Sequence, residues 1–368
     1  MVILFIVICA IGLSLLPYWL IRANPFPQPS GQWQVGVADF IWDAPDLTGI
    51  IAKVWYPTTD KQGIRSPYID KFDRTLSVIT SGISPLVKLI AKIYLSRIIT
   101  PSFIDATPTQ LAGGCPVILF SPGFRSMNFL NTFYALEFAS HGFIVIGINH
   151  PEMSAGSLLA DGLQVAFKPV DTELVFAGYE QSDSLFSDLV LKQADNISNV
   201  LDEIISLNAN TSSLLYRKIN PNKIFAAGHS IGGAASFVAC GKDKRIAKGA
   251  NLDGIFIDPA NTNYANKELL LISSNLVKYS PKDANTRTRI ETIVAKDKIQ
   301  REQLAVKANL HQCSFPSASH FNFMDLPLII RFTLGIKIGL FGNVNGLELL
   351  SKTSAEMMNF FNSCIPSD

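Results

Sequence analysis

The sequence predicts an α/β protein built on a mostly parallel sheet, and three observations carry that prediction. Short apolar runs bounded by turn residues alternate along the chain with longer segments of helical spacing, the pattern of repeated strand–helix–strand units. The runs are continuously apolar rather than alternating, as strands covered by helices on both faces should be. One of them, residues 224–227, feeds directly into Gly228-His229-Ser230-Ile231-Gly232-Gly233, where a strand meets a tight turn and a series of small, helix-compatible residues.

In chain order, residues 1–21 carry no charged side chain and are long enough to cross a bilayer as a helix, with Arg22 the first basic residue after them. Residues 1–23 are therefore expected to be a hydrophobic signal or anchor, and residues 24–368 a single domain outside the cytoplasm, secreted or held at a membrane. After a proline-rich stretch, residues 50–57 read as an early strand stopped by Pro57. Residues 117–120 and 143–148 are buried-strand runs separated by helical spacing over 129–140. A long amphipathic helix is expected over 182–207, a helix over 231–240 after the turn, strands over 247–252 and 269–272, and a closing helix over 351–362.

Two further segments do not fit this sheet. Residues 76–103 are strongly apolar with only Lys88, Lys92 and Arg97 charged, and residues 326–340 are similar with Arg331 and Lys337. Both read as basic amphipathic helices, which either lie on a membrane surface or close as lids over an apolar pocket.

Composition excludes several classes. Thirty-one basic residues against 30 acidic ones leave a formal charge of +1 and no basic run, which argues against a nucleic-acid partner. Hydrophobic residues make up 48% and charged residues only 17%, so the chain buries a large core or touches lipid. Five cysteines are too few for a disulfide scaffold and read mainly as buried thiols, although Cys313 with Cys364 remains a possible staple. No cysteine–histidine spacing suggests zinc, and no phosphate-binding loop or dinucleotide fingerprint occurs.

The chemistry gathers around Ser230. Gly-x-Ser-x-Gly between strand and helix is a nucleophile elbow, in which flanking glycines let the backbone pass close to itself and push the hydroxyl outward. A serine needs a base, and the base needs a carboxylate to fix its tautomer. Of five histidines, His229 lies inside the elbow and is expected to point away, His141 ends a helix and His150 ends a strand. His320, late in the chain in a loop of small residues, fits the order serine, acid, histidine and is preferred to His311, which reads as a surface or structural histidine. Asp253 ends the strand after the nucleophile and is the candidate acid, with a turn role before Gly254 as the alternative and Asp258 or Asp283 in reserve. The strand over 269–272 has only Ser273-Ser274-Asn275 at its tip. An oxyanion requires two backbone donors. Ile231 follows the elbow, and Phe124 follows the Ser121-Pro122-Gly123 turn.

These residues resemble the platelet-activating factor acetylhydrolases of the plasma and type II intracellular group. The similarity covers residues 115–325, through Phe120-Ser121-Pro122-Gly123, Ala139-Ser140-His141-Gly142-Phe143, Gly228-His229-Ser230-Ile231-Gly232-Gly233-Ala234, Leu252-Asp253 and Ser319-His320-Phe321-Asn322-Phe323. The resemblance implies the α/β-hydrolase fold, with nucleophile, acid and base on Ser230, Asp253 and His320 and oxyanion donors on Phe124 and Ile231. It implies a serine ester hydrolase acting on lipid acyl esters without a metal or organic cofactor. Pro122-Gly123 departs from the family's His-Gly, and Asn149-His150-Pro151 from a more charged motif. Gly-His-Ser-x-Gly-Gly is also similar to cutinase-like and polyester-cleaving hydrolases, which keeps a general carboxylesterase open. A catalytically inactive, membrane-bound binding protein is the alternative outside enzymes.

Overall fold

Ser230 and the turn before Phe124 share one edge of a sheet because of the order in which its strands are threaded. The computed structural model describes residues 25–42, 50–70, 89, 92–158, 164–166, 179–256, 262–275 and 284–363. The strands are β1 (Gln34–Ile41), β2 (Ile51–Thr58), β3 (Arg65–Pro67), β4 (Ile99–Ile104), β5 (Cys115–Ser121), β6 (Ile144–Asn149), β7 (Gly156–Leu158), β8 (Gln164–Ala166), β9 (Ile219–His229), β10 (Ile246–Leu252), β11 (Glu268–Ser273) and β12 (Asn309–Ser314). The helices are α1 (Thr132–Ser140), α2 (Tyr179–Ala209), α3 (Ile231–Lys242), α4 (Ala284–Lys307), α5 (Leu326–Ile329), α6 (Phe332–Lys337) and α7 (Gly346–Asn362), with a 3₁₀ turn over His320–Phe323.

Among the described residues, ten strands form one sheet in the order β12-β11-β10-β9-β5-β6-β2-β1-β4-β3, and β7 pairs with β8 separately. The six strands from β12 to β6 are mutually parallel. Strand β2 runs antiparallel to both β6 and β1. From β5 the chain first moves outward to β6 and later returns to β5's other side as β9, so β5 and β9 flank a topological switch point. In open α/β sheets the crevice beyond the carboxyl ends of such strands is where ligands bind. Register sets the level: Ser121 pairs with Gly228, and Leu252 with both His229 and Ile272.

Alternation along the central strands divides the core between two faces. Val117, Leu119, Ile224 and Ala226 pack with Val190, Ile197, Leu201 and Ile204 of α2 and with Ala234 and Val238 of α3. Ile118, Phe120, Phe225 and Ala227 face the other way, toward Tyr134 and Phe138 of α1 and Leu350, Met357 and Phe361 of α7. Lys248 enters this second layer fully buried. Its ammonium donates to the carbonyls of Phe360 (2.7 Å) and Ser363 (2.9 Å) and to Ser363 Oγ (2.6 Å), at the negative end of α7.

The expected α/β architecture and its central strands are present, and the differences lie at the margins. Residues 76–103 are not one amphipathic helix. Most of 76–91 lies outside the described residues, while Ile99–Ile104 forms β4, paired in parallel with β1 and buried from Thr100 to Phe103. Residues 326–340 break at Ile330, which is extended, into α5 and α6. Leu328 and Ile329 enter the core, so this part packs as structure rather than as a free surface. Among the described residues no helix is long and apolar enough to cross a membrane, and residues 1–21 lie outside them. Cys115 and Cys240 are buried free thiols and Cys313 a half-buried one; Cys364 lies outside the described residues.

Candidate active site

The strand-to-helix turn at Ser230 holds a conformation few side chains adopt. Ser230 has φ 58° and ψ −128°, and its carbonyl already accepts from Gly233 N–H (2.9 Å) and Ala234 N–H (3.2 Å) in the first turn of α3. The fold around it has no room for Cβ atoms at the flanking glycines. A Cβ on Gly228 would lie 2.3 Å from the Gly232 carbonyl oxygen, and one on Gly232 would lie 2.2 Å from that of Ser121. These contacts bind the elbow to the end of β5. The Pro122-Gly123 turn then passes beside Ser230, since a Cβ on Gly123 would sit 3.2 Å from Ser230 Cβ. Phe124 follows on this turn, and Ile231 opens α3 with one of the helix's four unsatisfied N–H groups at its positive end.

Asp253 follows β10, also with a left-handed φ of 58°, and is 2% exposed. Three donors converge on its carboxylate: His320 Nδ1–H to Oδ2 (2.8 Å), Ser274 Oγ–H to Oδ2 (2.8 Å) and Ser274 N–H to Oδ1 (2.6 Å). A carboxylate accepts only, so the His320 proton sits on Nδ1 and Nε2 keeps its lone pair. The sequence pattern brought Asp253 and His320 forward. It did not bring forward Ser274, which lies in the β11 tip noted for having no acid. That tip holds the acid of the neighbouring strand instead.

The loop carrying His320 is pinned from several sides. Ser319 N–H and Gly342 N–H donate to Asn322 Oδ1 (2.9 and 2.7 Å), and Asn131 Nδ2 donates to the Phe323 carbonyl (3.0 Å). Asp325, fully buried, accepts from Thr132 N–H (2.8 Å), Phe133 N–H (3.0 Å) and Tyr68 O–H (3.1 Å) and so caps α1 from 192 residues away. Burial pushes its carboxyl up to about 7 against the pull of these donors.

His229 departs from the expected orientation. Its Nε2–H donates to the carbonyl of His320 (3.0 Å), and the two rings lie 4.5 Å apart, so the residue preceding Ser230 supports the candidate base. Its Nδ1 is buried without a partner. His311 sits at the far end of β12 with Glu268 (2.9 Å), and His141 bonds the last turn of α1. Neither approaches Ser230 in sequence register or through a shared bond. Asp258 and Asp283 lie outside the described residues.

Burial holds two histidines uncharged: His150 is lowered to about 3, and His229 is taken well below the usual range by burial and then by His320. Each gains a proton on unfolding below about pH 6.5. Stability conferred by these neutral rings is therefore complete above that pH and is lost as pH falls toward the folded-state value, by about 1.4 kcal/mol per pH unit per histidine. Between about pH 7 and 5 the protonated Asp325 carboxyl contributes a slope of opposite sign, so the difference in urea unfolding between wild type and His150→Gln across that range isolates one histidine's share. An unchanged slope in the variant would reject the linkage.

A parallel sheet with a strained serine elbow, and an aspartate and histidine in contact beyond its carboxyl edge, defines an α/β-hydrolase. The chain belongs to the family described as platelet-activating factor acetylhydrolase, isoform II, which it matches over residues 21–365, and it is an ester hydrolase. It is 24% identical over 353 residues to the platelet-activating factor acetylhydrolase of Cavia porcellus, covering 89% of this chain and 76% of that one. The acetylhydrolase of Canis lupus familiaris is 24% identical over 362 residues, covering 92% and 76%. Among solved structures, the ferulic acid esterase from Streptomyces cinnamoneus superposes with a TM-score of 0.62 at 18% identity over 94% of both chains, a likeness of fold.

Proposed function

We propose that the protein hydrolyses the acyl ester of a phospholipid-like substrate through an acyl-enzyme on Ser230. The observation that carries the reading is the Asp253–His320 pair, whose 2.8 Å hydrogen bond leaves Nε2 as the basic nitrogen at the edge where Ser230 is presented. Ser230 Oγ attacks the ester carbonyl while its proton passes to His320 Nε2. Asp253 stabilises the imidazolium, and the N–H groups of Phe124 and Ile231 receive the oxyanion. His320 returns the proton to the departing alcohol. Water then repeats the sequence against the acyl-enzyme, so protons balance within these residues.

The relatives' names supply the substrate class, and the apolar composition and the exposed Phe321 beside His320 are compatible with it. Residues 24–368 are taken as one catalytic domain, and the uncharged stretch 1–21 supports placement outside the cytoplasm at or near a membrane. Turnover of a short-chain or oxidised phosphatidylcholine should exceed that of a soluble p-nitrophenyl ester by at least about tenfold in kcat/KM. The reverse order would favour a broad carboxylesterase or polyester hydrolase. Failure of a fluorophosphonate to label Ser230 would favour a non-catalytic binding protein.

A further inference from the structure

The acid–base chemistry leaves His150 unused, yet its ring is fully bonded and fully buried directly behind the turn that leads to Phe124. Its Nε2 lies 2.8 Å from Ser121 Oγ, and its Nδ1 lies 3.2 Å from Asn196 Nδ2 on α2. Ser121 Oγ lies in turn 3.0 Å from Gln193 Oε1, one helical turn from Asn196. An amide nitrogen only donates and an amide oxygen only accepts, which fixes every proton in the chain. Asn196 donates to Nδ1, Nε2–H donates to Ser121, and the Ser121 hydroxyl donates to Gln193. Ser121, His150 and Gln193 are each 1% exposed or less.

Ser121 is the last residue of β5, and Pro122 after it has no N–H with which to tie the turn down. The Ser121 carbonyl sits against the elbow, close enough that a Cβ on Gly228 or Gly232 would lie 2.6 or 2.2 Å from it. A rotation at Ser121 would therefore move the turn and press on the elbow together. The rest of the turn rests on the residues around His150. Arg125 N–H donates to the Met153 carbonyl (3.0 Å), Ala155 N–H to the Ser126 carbonyl (3.1 Å) and Asn128 N–H to Asn149 Oδ1 (3.0 Å). His150 N–H is itself held by Ser154 Oγ (2.9 Å).

From this arrangement we infer that His150 is a positioning residue for the oxyanion hole, fixing the Pro122–Phe124 turn through Ser121 from a neutral, single-tautomer ring anchored on α2. The inference rests on the Ser230 acyl-enzyme reading. Such a residue acts on the transition state more than on substrate binding, because the displaced donor faces charge that develops only during attack. Burial already disfavours the charged ring, and its protonation would also set Nδ1–H against the Asn196 amide.

The test is steady-state hydrolysis of a p-nitrophenyl ester by His150→Phe, His150→Gln, Ser121→Ala and the His150→Phe/Ser121→Ala double variant, each checked for folding by near-UV circular dichroism. His150→Phe and Ser121→Ala should each lower kcat by about 10- to 100-fold with KM within about threefold of wild type. His150→Gln, whose amide can donate toward Ser121, should recover part of the loss. The double variant should lose no more than the worse single one, because the two residues act as one unit. If His150→Phe does not fold, Ser121→Ala decides. Folded variants with kcat within about twofold of wild type, losses confined to KM, or fully additive losses would overturn the inference. A wild-type enzyme that a fluorophosphonate leaves unlabelled would instead overturn the nucleophile assignment beneath it.

Discussion

Ser230→Ala should lower kcat/KM for a p-nitrophenyl ester by on the order of 10⁵- to 10⁶-fold while leaving the melting temperature near that of wild type. The size of the effect follows from the division of labour at the site. Without the hydroxyl there is no acyl-enzyme, and His320 with the oxyanion donors retains only the residual catalysis of water attack. Folding should survive because alanine keeps the Cβ that already tolerates φ 58° at this position, and no hydrogen bond from Ser230 Oγ contributes to the elbow's described network. Burst-phase and steady-state assays on purified variant measure the loss. Turnover within about tenfold of wild type would remove Ser230 from the mechanism.

Asp253→Asn should reduce kcat by about 10⁴-fold with little change in stability. Ser274 makes this substitution informative. Its backbone N–H points at Oδ1 and requires an acceptor, which the amide oxygen of asparagine supplies. The amide nitrogen must then take the Oδ2 position, where it faces His320 Nδ1 and Ser274 Oγ. A donor there forces the His320 proton from Nδ1 to Nε2, the nitrogen that must accept from Ser230. The ring stays in place with the wrong tautomer. Nitrogen-15 NMR of the imidazoles reads the tautomer directly, and kcat reads its consequence. A variant that retains the Nδ1–H form and near-normal turnover would show that another group orients the base.

The elbow was the most legible part of the site because strand, turn, serine and helix are contiguous, and their residue types are dictated by local sterics. Asp253 and His320 were accessible through chain order alone, since a parallel sheet delivers each to the same edge at the end of a successive unit. Ser274 was hidden because its contribution depends on the register of β11 beside β10, which places the two strand tips side by side. His229 was read as pointing away, whereas its ring direction is set by the His320 carbonyl, 91 residues distant. Asp325 lay just before the segment read for its hydrophobicity, and its partners belong to α1 and Tyr68.

Outer elements were missed for a different reason. The sequence of β12, Asn-Leu-His-Gln-Cys-Ser, lacks the continuous apolar run of the central strands because it is the sheet's edge and none of its residues is fully buried. Helix α4 is predominantly polar and was not anticipated. It is tied inward by Leu304 and by Asp297, which accepts from Phe256 N–H (2.7 Å) and pairs with Arg301. Strand β1 was overlooked beside its partner β2, although it is buried on both faces from Val35 to Ala38, with Val35 and Val37 in one core layer and Ala38 in the other.

Ser230 and Asp253 each have φ 58°, a value that residues with side chains rarely adopt. Such a residue costs about 1–3 kcal/mol relative to a relaxed one, a large part of a domain's net stability. Heat-tolerant descendants chosen in the laboratory for yield or solubility alone would therefore drift toward glycine at both positions. Those libraries would become sturdier and inert in the same step, so any programme to harden this scaffold has to screen for turnover at every round.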